Sequence, residues 1–153
     1  MKLADIWKIQ DVNEMLEELY AYVDDKCAYG EDLGALSASE RVFYVTYTLE
    51  MEINNGGFVQ FFINCPDIAD EVEAAFVAIG MPLMAKICKK AREAFDEFFP
   101  GGADDVNEDA LDALYTGQTG EFLDELENVL LVYEDELAEL NSAYVLAHRA
   151  DFE

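Results

Sequence analysis

Apolar residues recur along the chain at the three- and four-residue spacing that is typical of amphipathic helices. The first run covers 15–23, and Asp11 and Glu14 precede it with the spacing of a capping box. A later run covers 83–98, and Thr119 is placed to cap a last long helical region. Glycine or proline separates most of these runs, so the pattern predicts a succession of helices.

The clearest predicted helix boundary lies in the first half of the chain. Ser37 and Glu40 form a second capping box, which predicts a helix over 38–55. The segment Asn54 to Gly57 then interrupts the apolar pattern with two asparagines and two glycines. We expect Gly56 to adopt the positive φ that ends this helix.

The remaining boundaries complete an all-α prediction. Asp67 is placed to cap a helix that runs through Ala78, and Pro82 suits the first turn of the next helix. No convincing alternation of apolar and polar residues indicates a strand. We therefore predict an all-α fold, with residues 1–153 in a single compact domain of about six helices.

Two predicted helices carry an apolar stripe when residues are placed at 100° intervals. The first stripe consists of Leu83, Met84, Ile87, Cys88, Ala91, Ala94, Phe95 and Phe98. The second consists of Phe122, Leu123, Leu126, Val129, Leu130, Tyr133, Leu137 and Leu140. We expect both stripes to be buried and the charged residues beside them to face solvent.

The charge of the chain narrows the classes of partner. The sequence has 34 acidic and 9 Lys or Arg residues, for a formal net charge of -25. Direct binding to nucleic acids requires Lys and Arg residues that displace counterions from the phosphates. Binding to an anionic membrane surface also requires clustered Lys and Arg residues. The expected partners are therefore basic macromolecules, cations or water alone.

The acidic residues are concentrated in the C-terminal part of the chain. Residues 93–147 contain sixteen carboxylates and no Lys, Arg or His. We predict that twelve of them bind a basic partner protein: Asp104, Asp105, Asp109, Asp112, Glu121, Asp124, Glu125, Glu127, Glu134, Asp135, Glu136 and Glu139. Carboxylates three or four positions apart on a helix are about 5–6 Å apart, which is comparable to the phosphate spacing along a DNA strand. An acidic helix face that is only solvated is the alternative interpretation.

Sequence motifs for catalysis and metal binding are lacking. The chain has no glycine-rich phosphate loop, no paired-histidine zinc motif and no serine nucleophile elbow, and its one histidine is His148. Asp105, Asn107 and Asp109 resemble the start of a calcium loop, but Ala110 replaces the required glycine. We expect no enzymatic activity, no cofactor and no metal site.

The most distinctive segment, residues 52–64, combines two glycines with three closely following phenylalanines. It resembles the signature of the DNA mimic protein 19-like family, a helical family mostly of unknown function. The residues that carry the resemblance are Glu52, Asn55, Gly56, Gly57, Phe58, Gln60, Phe61, Phe62 and Asn64. We expect them to be mainly structural, as a tight corner between helices that we call the signature corner.

The resemblance implies an all-helical homodimer. For the member that gives the family its name, it implies a negatively charged surface that occupies the DNA-binding face of a helix-turn-helix transcription factor. The predicted function is therefore a DNA mimic that competes with DNA for a basic DNA-binding protein, such as a transcription factor or nucleoid protein. A ligand pocket or enzyme site beside Glu52, Asn55 and Gln60 is one alternative, and an acidic domain without a specific partner is another.

The expected location is the cytoplasm. The first ten residues, MKLADIWKIQ, lack the apolar core of a secretory signal, and the longest uncharged apolar stretch, 74–85, is too short to span a bilayer. The chain has an odd number of cysteines at wide spacing, Cys27, Cys65 and Cys88, and this pattern favours reduced thiols over disulfides.

Overall fold

The computed structural model describes all 153 residues and consists of helices and connecting turns, with no strand. The α-helices are α1 (Leu3–Ile6), α2 (Val12–Lys26), α3 (Ala38–Asn64), α4 (Pro66–Ala69), α5 (Val72–Ala78), α6 (Pro82–Phe98), α7 (Glu108–Thr116), α8 (Gln118–Val132) and α9 (Glu134–Ala147). Short 3₁₀ helices cover Leu33–Ala35, Gly102–Asp105 and Arg149–Asp151. None of the helices combines the length and apolarity needed to cross a bilayer. The all-α prediction is confirmed.

The predicted number of about six helices was wrong, since the structure has nine. The helix predicted from Asp67 to Ala78 is divided at Asp70 into α4 and α5, and the last long helical region is divided at Tyr133 into α8 and α9. Neither division has a glycine or proline to mark it in the sequence. Thr119 was predicted to cap the last long helical region, and this was also wrong. Helix α8 begins at Gln118, so Thr119 lies inside its first turn.

The predicted capping boxes differ in how completely they form. The Ser37 hydroxyl accepts from the Glu40 N–H at 3.2 Å, and the Glu40 carboxylate accepts from the Ser37 N–H at 2.9 Å. The Asp11 carboxylate accepts from the Glu14 N–H at 3.0 Å, but no reciprocal bond returns from Glu14. The start of α3 is therefore fixed by two bonds and the start of α2 by one.

The core is organised around α3, which packs against α2, α4, α5, α6, α8 and α9. The apolar stripe of α6 is buried at its centre, where Met84, Cys88 and Phe95 join the core. Leu83 was predicted to belong to this stripe but is 47% exposed. It lies in the first turn of α6, where the stripe extends beyond the core.

The second predicted stripe is only partly buried. Leu123 and Leu130 of α8 and Leu137 of α9 are buried, but Phe122 and Val129 are 39% and 41% exposed. The predicted stripe assumes one continuous helix, whereas the helix is interrupted at Tyr133, between α8 and α9. As a result, α8 buries a narrower face than predicted.

The helices α7 and α8 meet at a tight corner because of Gly120. A Cβ atom at this buried position would lie 2.5 Å from the carbonyl oxygen of Leu114 and 2.9 Å from Cα of Tyr115. Both neighbours are backbone atoms, so they cannot rotate away as a side chain could. Glycine thus allows the start of α8 to lie directly against the end of α7.

A buried carboxylate, Glu40, ties α3 to α2 and to the end of the chain. Its side chain is fully buried and accepts hydrogen bonds from the Lys26 ammonium at 2.8 Å and from the N–H of Glu153 at 3.0 Å. The Lys26 ammonium balances the charge of the Glu40 carboxylate. Together with the bond from the Ser37 N–H, both carboxylate oxygens accept hydrogen bonds. Glu40 therefore does more than cap a helix.

Replacement of Glu40 tests this role. We expect Glu40→Ala to lower the free energy of unfolding by roughly 3 kcal/mol, because Lys26 then loses its buried partner. The matched change Ser37→Ala removes the other half of the capping box and should cost only about 1 kcal/mol. Urea denaturation followed by circular dichroism measures both, and equal losses would contradict the wider role of Glu40.

Candidate functional site

The signature corner is a bend within α3 rather than the end of a helix. At Gly57 the backbone has φ 83° and ψ -174°, and helical structure resumes at once and continues to Asn64. The predicted end of the helix at residue 55 was therefore wrong, and the positive φ belongs to Gly57 instead of Gly56. Glycine is favoured at this position because other residues rarely adopt such a φ.

The bend leaves the N–H of Phe58 without an acceptor in its own helix, and Glu127 of α8 supplies one. The Glu127 Oε1 atom accepts this bond at 2.7 Å, so the carboxylate caps the second half of α3 across 69 positions of sequence. A helix start favours a negative charge. A Cβ atom at Gly57 would overlap the Glu127 carboxylate, so a glycine at 57 is required for this contact as well.

The environment of Glu127 differs from that of a surface carboxylate. Burial raises the pKa of Glu127, the hydrogen bond from Phe58 opposes this rise by stabilising the ionised form, and the nearby charge of Asp124 adds to it. Glu127 was predicted to bind a partner, and the structure gives it a contact inside the chain. The two glycines were the only sequence signal for this contact. They indicate a bend, and a bend frees an N–H group that needs an acceptor elsewhere in the chain.

Among the other polar residues of the signature corner, Gln60 and Glu52 form one side-chain hydrogen bond with each other. The Gln60 amide donates to the Glu52 carboxylate at 2.9 Å and so connects the two halves of α3 across the bend. A Cβ atom at Gly56 would overlap the Gln60 side chain, while Asn55 and Asn64 are exposed. Phe58, Phe61 and Phe62 are buried in the core. A ligand pocket beside these groups stays a prediction.

Ten of the twelve carboxylates predicted to bind a partner are exposed, and Glu127 and Glu134 are half-buried. We call the exposed ten the acidic surface: Asp104, Asp105, Asp109, Asp112, Glu121, Asp124, Glu125, Asp135, Glu136 and Glu139. They lie on α7, α8, α9 and the 3₁₀ helix before α7. These elements follow one another without an intervening basic residue.

No member of the acidic surface forms an ion pair within the chain. The five ion pairs of the structure are Lys8–Asp5, Lys26–Glu40, Arg41–Glu71, Arg92–Asp70 and Arg92–Asp96. Within the acidic surface, one carboxylate accepts a hydrogen bond, that of Asp105 from the N–H of Gly101. The four cations that form these pairs, Lys8, Lys26, Arg41 and Arg92, thus bind acids outside the acidic surface.

Some of these acids have a local structural explanation and others do not. Acids in the first turn of a helix are stabilised by the helix dipole, and four members occupy such turns: Asp109, Glu121, Asp135 and Glu136. Four others lie further along their helices: Asp112, Asp124, Glu125 and Glu139. No ion pair or helix N-terminus accounts for this second group.

A family model described as DMP19-like protein matches residues 34–148. The chain belongs to the DMP19-like protein family. The resemblance inferred from the signature residues is therefore confirmed, and the match includes both the signature corner and the acidic surface. No curated protein and no solved structure matches the chain.

In this DMP19-like protein the half-buried acid Glu134 faces a second carboxylate, Glu50 of α3. Burial raises the pKa of Glu50 to about 7, and the negative charge of Glu134 contributes to the rise. Glu50 makes no ion pair. The carboxyl group of Glu50 therefore changes its charge near neutral pH.

Glu127 provides the first test of this DMP19-like corner. We expect Glu127→Ala to lower the free energy of unfolding by about 1–3 kcal/mol, because the N–H of Phe58 loses its acceptor. The matched variant Glu125→Ala, on the exposed side of the same helix, should change it by no more than about 0.5 kcal/mol. Urea denaturation compares the two, and a larger loss for Glu125→Ala would refute the capping role.

Glu50 makes stability depend on pH. Its pKa is about 7 in the folded protein against an ordinary value of 4.5, so the folded state binds the proton more tightly. The stabilisation is present below pH 4.5 and is lost as pH rises through 7. We expect Glu50→Gln to be more stable than the wild type by about 1–2 kcal/mol at about pH 8, and the difference to shrink near pH 5. Thermal denaturation at both pH values measures this, and Glu108→Gln, which removes an exposed charge, is the control.

Proposed function

We propose that this chain is a DNA mimic, an interaction protein that presents carboxylates where DNA presents phosphates. It competes with DNA for the basic surface of a DNA-binding protein, such as a helix-turn-helix transcription factor or a nucleoid protein. Membership of the DMP19-like family is consistent with this proposal. The function requires neither catalysis nor a cofactor, and no direct contact with nucleic acid.

The observation that carries the proposal is the unpaired state of the acidic surface. Ten exposed carboxylates lie on successive helical elements, while all five ion pairs involve other acids. Carboxylates at three- and four-residue spacing repel each other by a few tenths of a kcal/mol per pair. A basic partner relieves this repulsion on binding, as DNA-binding proteins do for phosphates.

The residues with no local explanation are the most informative ones. Asp124 and Glu125 lie in the middle of α8, and Glu139 lies beyond the first turn of α9, so the helix dipole does not account for them. Both helices expose these carboxylates to solvent. We therefore place the centre of the partner-binding surface on α8 and α9, with α7 and the preceding 3₁₀ helix at its edge.

Homodimerisation is part of the proposal and rests on the family resemblance. In a homodimer each copy contributes one acidic surface, and two surfaces suit a dimeric transcription factor that binds two DNA half-sites. Sedimentation velocity tests the assembly. A monomer at all concentrations would remove the dimer from the proposal without affecting the role of a single acidic surface.

Charge reversal tests the mimicry. We expect the triple variant Asp124→Lys, Glu125→Lys and Glu139→Lys to lose binding to basic DNA-binding proteins that the wild type captures from cell lysate. Because the contacts are ionic, wild-type capture should also weaken as salt rises. Labelled DNA should compete with the wild-type protein for the purified partner, since both occupy the same basic surface.

A charge-matched control separates a specific surface from general acidity. The variant Glu31→Lys, Asp67→Lys and Glu73→Lys changes the net charge equally at exposed sites outside the acidic surface. It should still bind the partner. Equal loss in both variants would show that net charge alone drives capture, and a partner that binds DNA and this protein at once would refute competition.

A further inference from the structure

A cavity of about 330 Å³ lies between α2, α3 and α9, on the N-terminal side of the bend at Gly57. Three elements contribute polar groups to its wall: Asn13, Glu17, Tyr47, Glu50, Asn54 and Asn141. Apolar side chains complete the lining, and no Lys, Arg or His is among the lining residues. The volume suits a small organic group rather than a single ion.

Asn141 of α9 is the unexpected member of this wall. Its side chain is 1% exposed, and its Nδ2 atom has no hydrogen-bond partner. Its Oδ1 lies 2.9 Å from the Thr46 hydroxyl, which also lies 2.9 Å from the Val42 carbonyl. Buried polar atoms are nearly always paired, and leaving one unpaired is costly.

Rotating the Asn141 amide by 180° would not give every one of its polar atoms a partner. A hydroxyl carries a single hydrogen, and the Val42 carbonyl can accept the hydrogen of Thr46. The Asn141 amide then satisfies Thr46 best as a donor, which leaves its oxygen as the unpaired atom. In both orientations one buried polar atom lacks a partner within the chain. With the oxygen free, the wall of the cavity contains a buried acceptor that has no partner.

The charges at the cavity are all negative. Glu17 of α2 and Glu50 of α3 line it, and Glu134 at the start of α9 faces Glu50. Burial, followed by the charges of Glu17 and Glu50, raises the pKa of Tyr47 to about 12, so its ring stays neutral. A neutral tyrosine ring also attracts cations to its face.

We propose that this cavity binds a primary ammonium group carried on a short alkyl chain. The ammonium donates to Glu50 and Glu17, in the wall that also contains the unpaired amide of Asn141, and the alkyl chain lies against Leu16, Met51 and Ala138. Such a group occurs in free alkylamines and at the end of a lysine side chain. Binding here does not require the acidic surface to bind a DNA-binding protein, so each can fail separately.

Titration with n-butylammonium tests the site, with n-butanol as the neutral control of similar size. We expect saturable binding of the amine by calorimetry, with backbone amide shifts of α2, α3 and α9 in nuclear magnetic resonance spectra. Absence of saturation would overturn the proposal. Shifts confined to the acidic surface would overturn it too, because they would show only surface attraction.

A second pair of probes identifies the source of the ammonium group. Nα-acetyl-lysine N-methylamide presents a lysine side chain, and its Nε-acetylated form removes the charge at nearly the same length. Binding of the charged form alone would show that the cavity accepts a lysine of another protein. Binding of n-butylammonium without binding of the lysine compound would assign the site to free amines.

Variants locate the binding in the cavity. Glu50→Gln keeps the size of the side chain and should weaken n-butylammonium about tenfold, because it removes a charged acceptor. Glu108→Gln removes one exposed charge on α7, which does not line the cavity, and should leave the affinity unchanged. An unchanged affinity in Glu50→Gln, with the fold intact by circular dichroism, would overturn the proposal.

The pH profile gives a readout that a structural role would not produce. Glu50 has a pKa of about 7, and the other titratable groups facing it are Glu17 of α2, Tyr47 of α3 and Glu134 of α9. The ammonium stays charged because its pKa is about 10. Affinity should therefore rise several-fold between about pH 6 and pH 8 as Glu50 ionises. The rise should disappear in Glu50→Gln, and a flat wild-type profile would contradict the assignment.

Discussion

The hydrogen bond from the Phe58 N–H to the Glu127 carboxylate joins the two parts of the molecule that the sequence presents separately. One part is the signature corner in α3, and the other is the acidic helix α8. The bend at Gly57 creates the donor, and the partial burial of Glu127 limits the water that competes for it. Since α8 also meets α7 at Gly120, this contact helps to fix where the acids of both helices lie.

The distribution of positive charge constrains the rest of the surface. Residues 1–92 contain sixteen acids and eight bases, whereas residues 93–153 contain eighteen acids and one base. Arg92 pairs with Asp70 and Asp96 and also lies over the ring of Phe62, so it is engaged at the core boundary. The mutual repulsion of the later acids is therefore opposed mainly by apolar burial, which gathers 36 residues into one cluster.

Local features of the sequence were predictable where one short segment contains all the interacting groups. The capping box of Ser37 and Glu40 is such a case, whereas the helix end predicted at Gly56 is instead a bend at Gly57, one residue later. The breaks at Asp70 and Tyr133 were not predicted, because they depend on how neighbouring helices pack and no glycine or proline marks them. Local propensity therefore gave the fold class but not the helix count.

The candidate site was predictable in composition but not in the role of each residue. The sequence pattern does not distinguish Glu127 from Glu125. In the structure, Glu127 accepts a hydrogen bond from the Phe58 N–H, whereas Glu125 is exposed. The distinction depends on a contact across 69 positions, which periodicity cannot reveal. Asn141 shows the same limit, because only the packing of α9 against α3 leaves its buried amide short of a partner.

Helix α9 contributes residues to both proposed binding regions of this chain. Its first turn contains Glu134, which adds to the rise that burial causes in the pKa of Glu50, and also Asp135 and Glu136 of the acidic surface. Above pH 7, where Glu50 is ionised, a cation held beside it would offset one negative charge close to Glu134. The acids that follow on α9 would then experience less repulsion from within the chain. Occupation of the cavity would therefore weaken the field of the acidic surface at the N-terminus of α9.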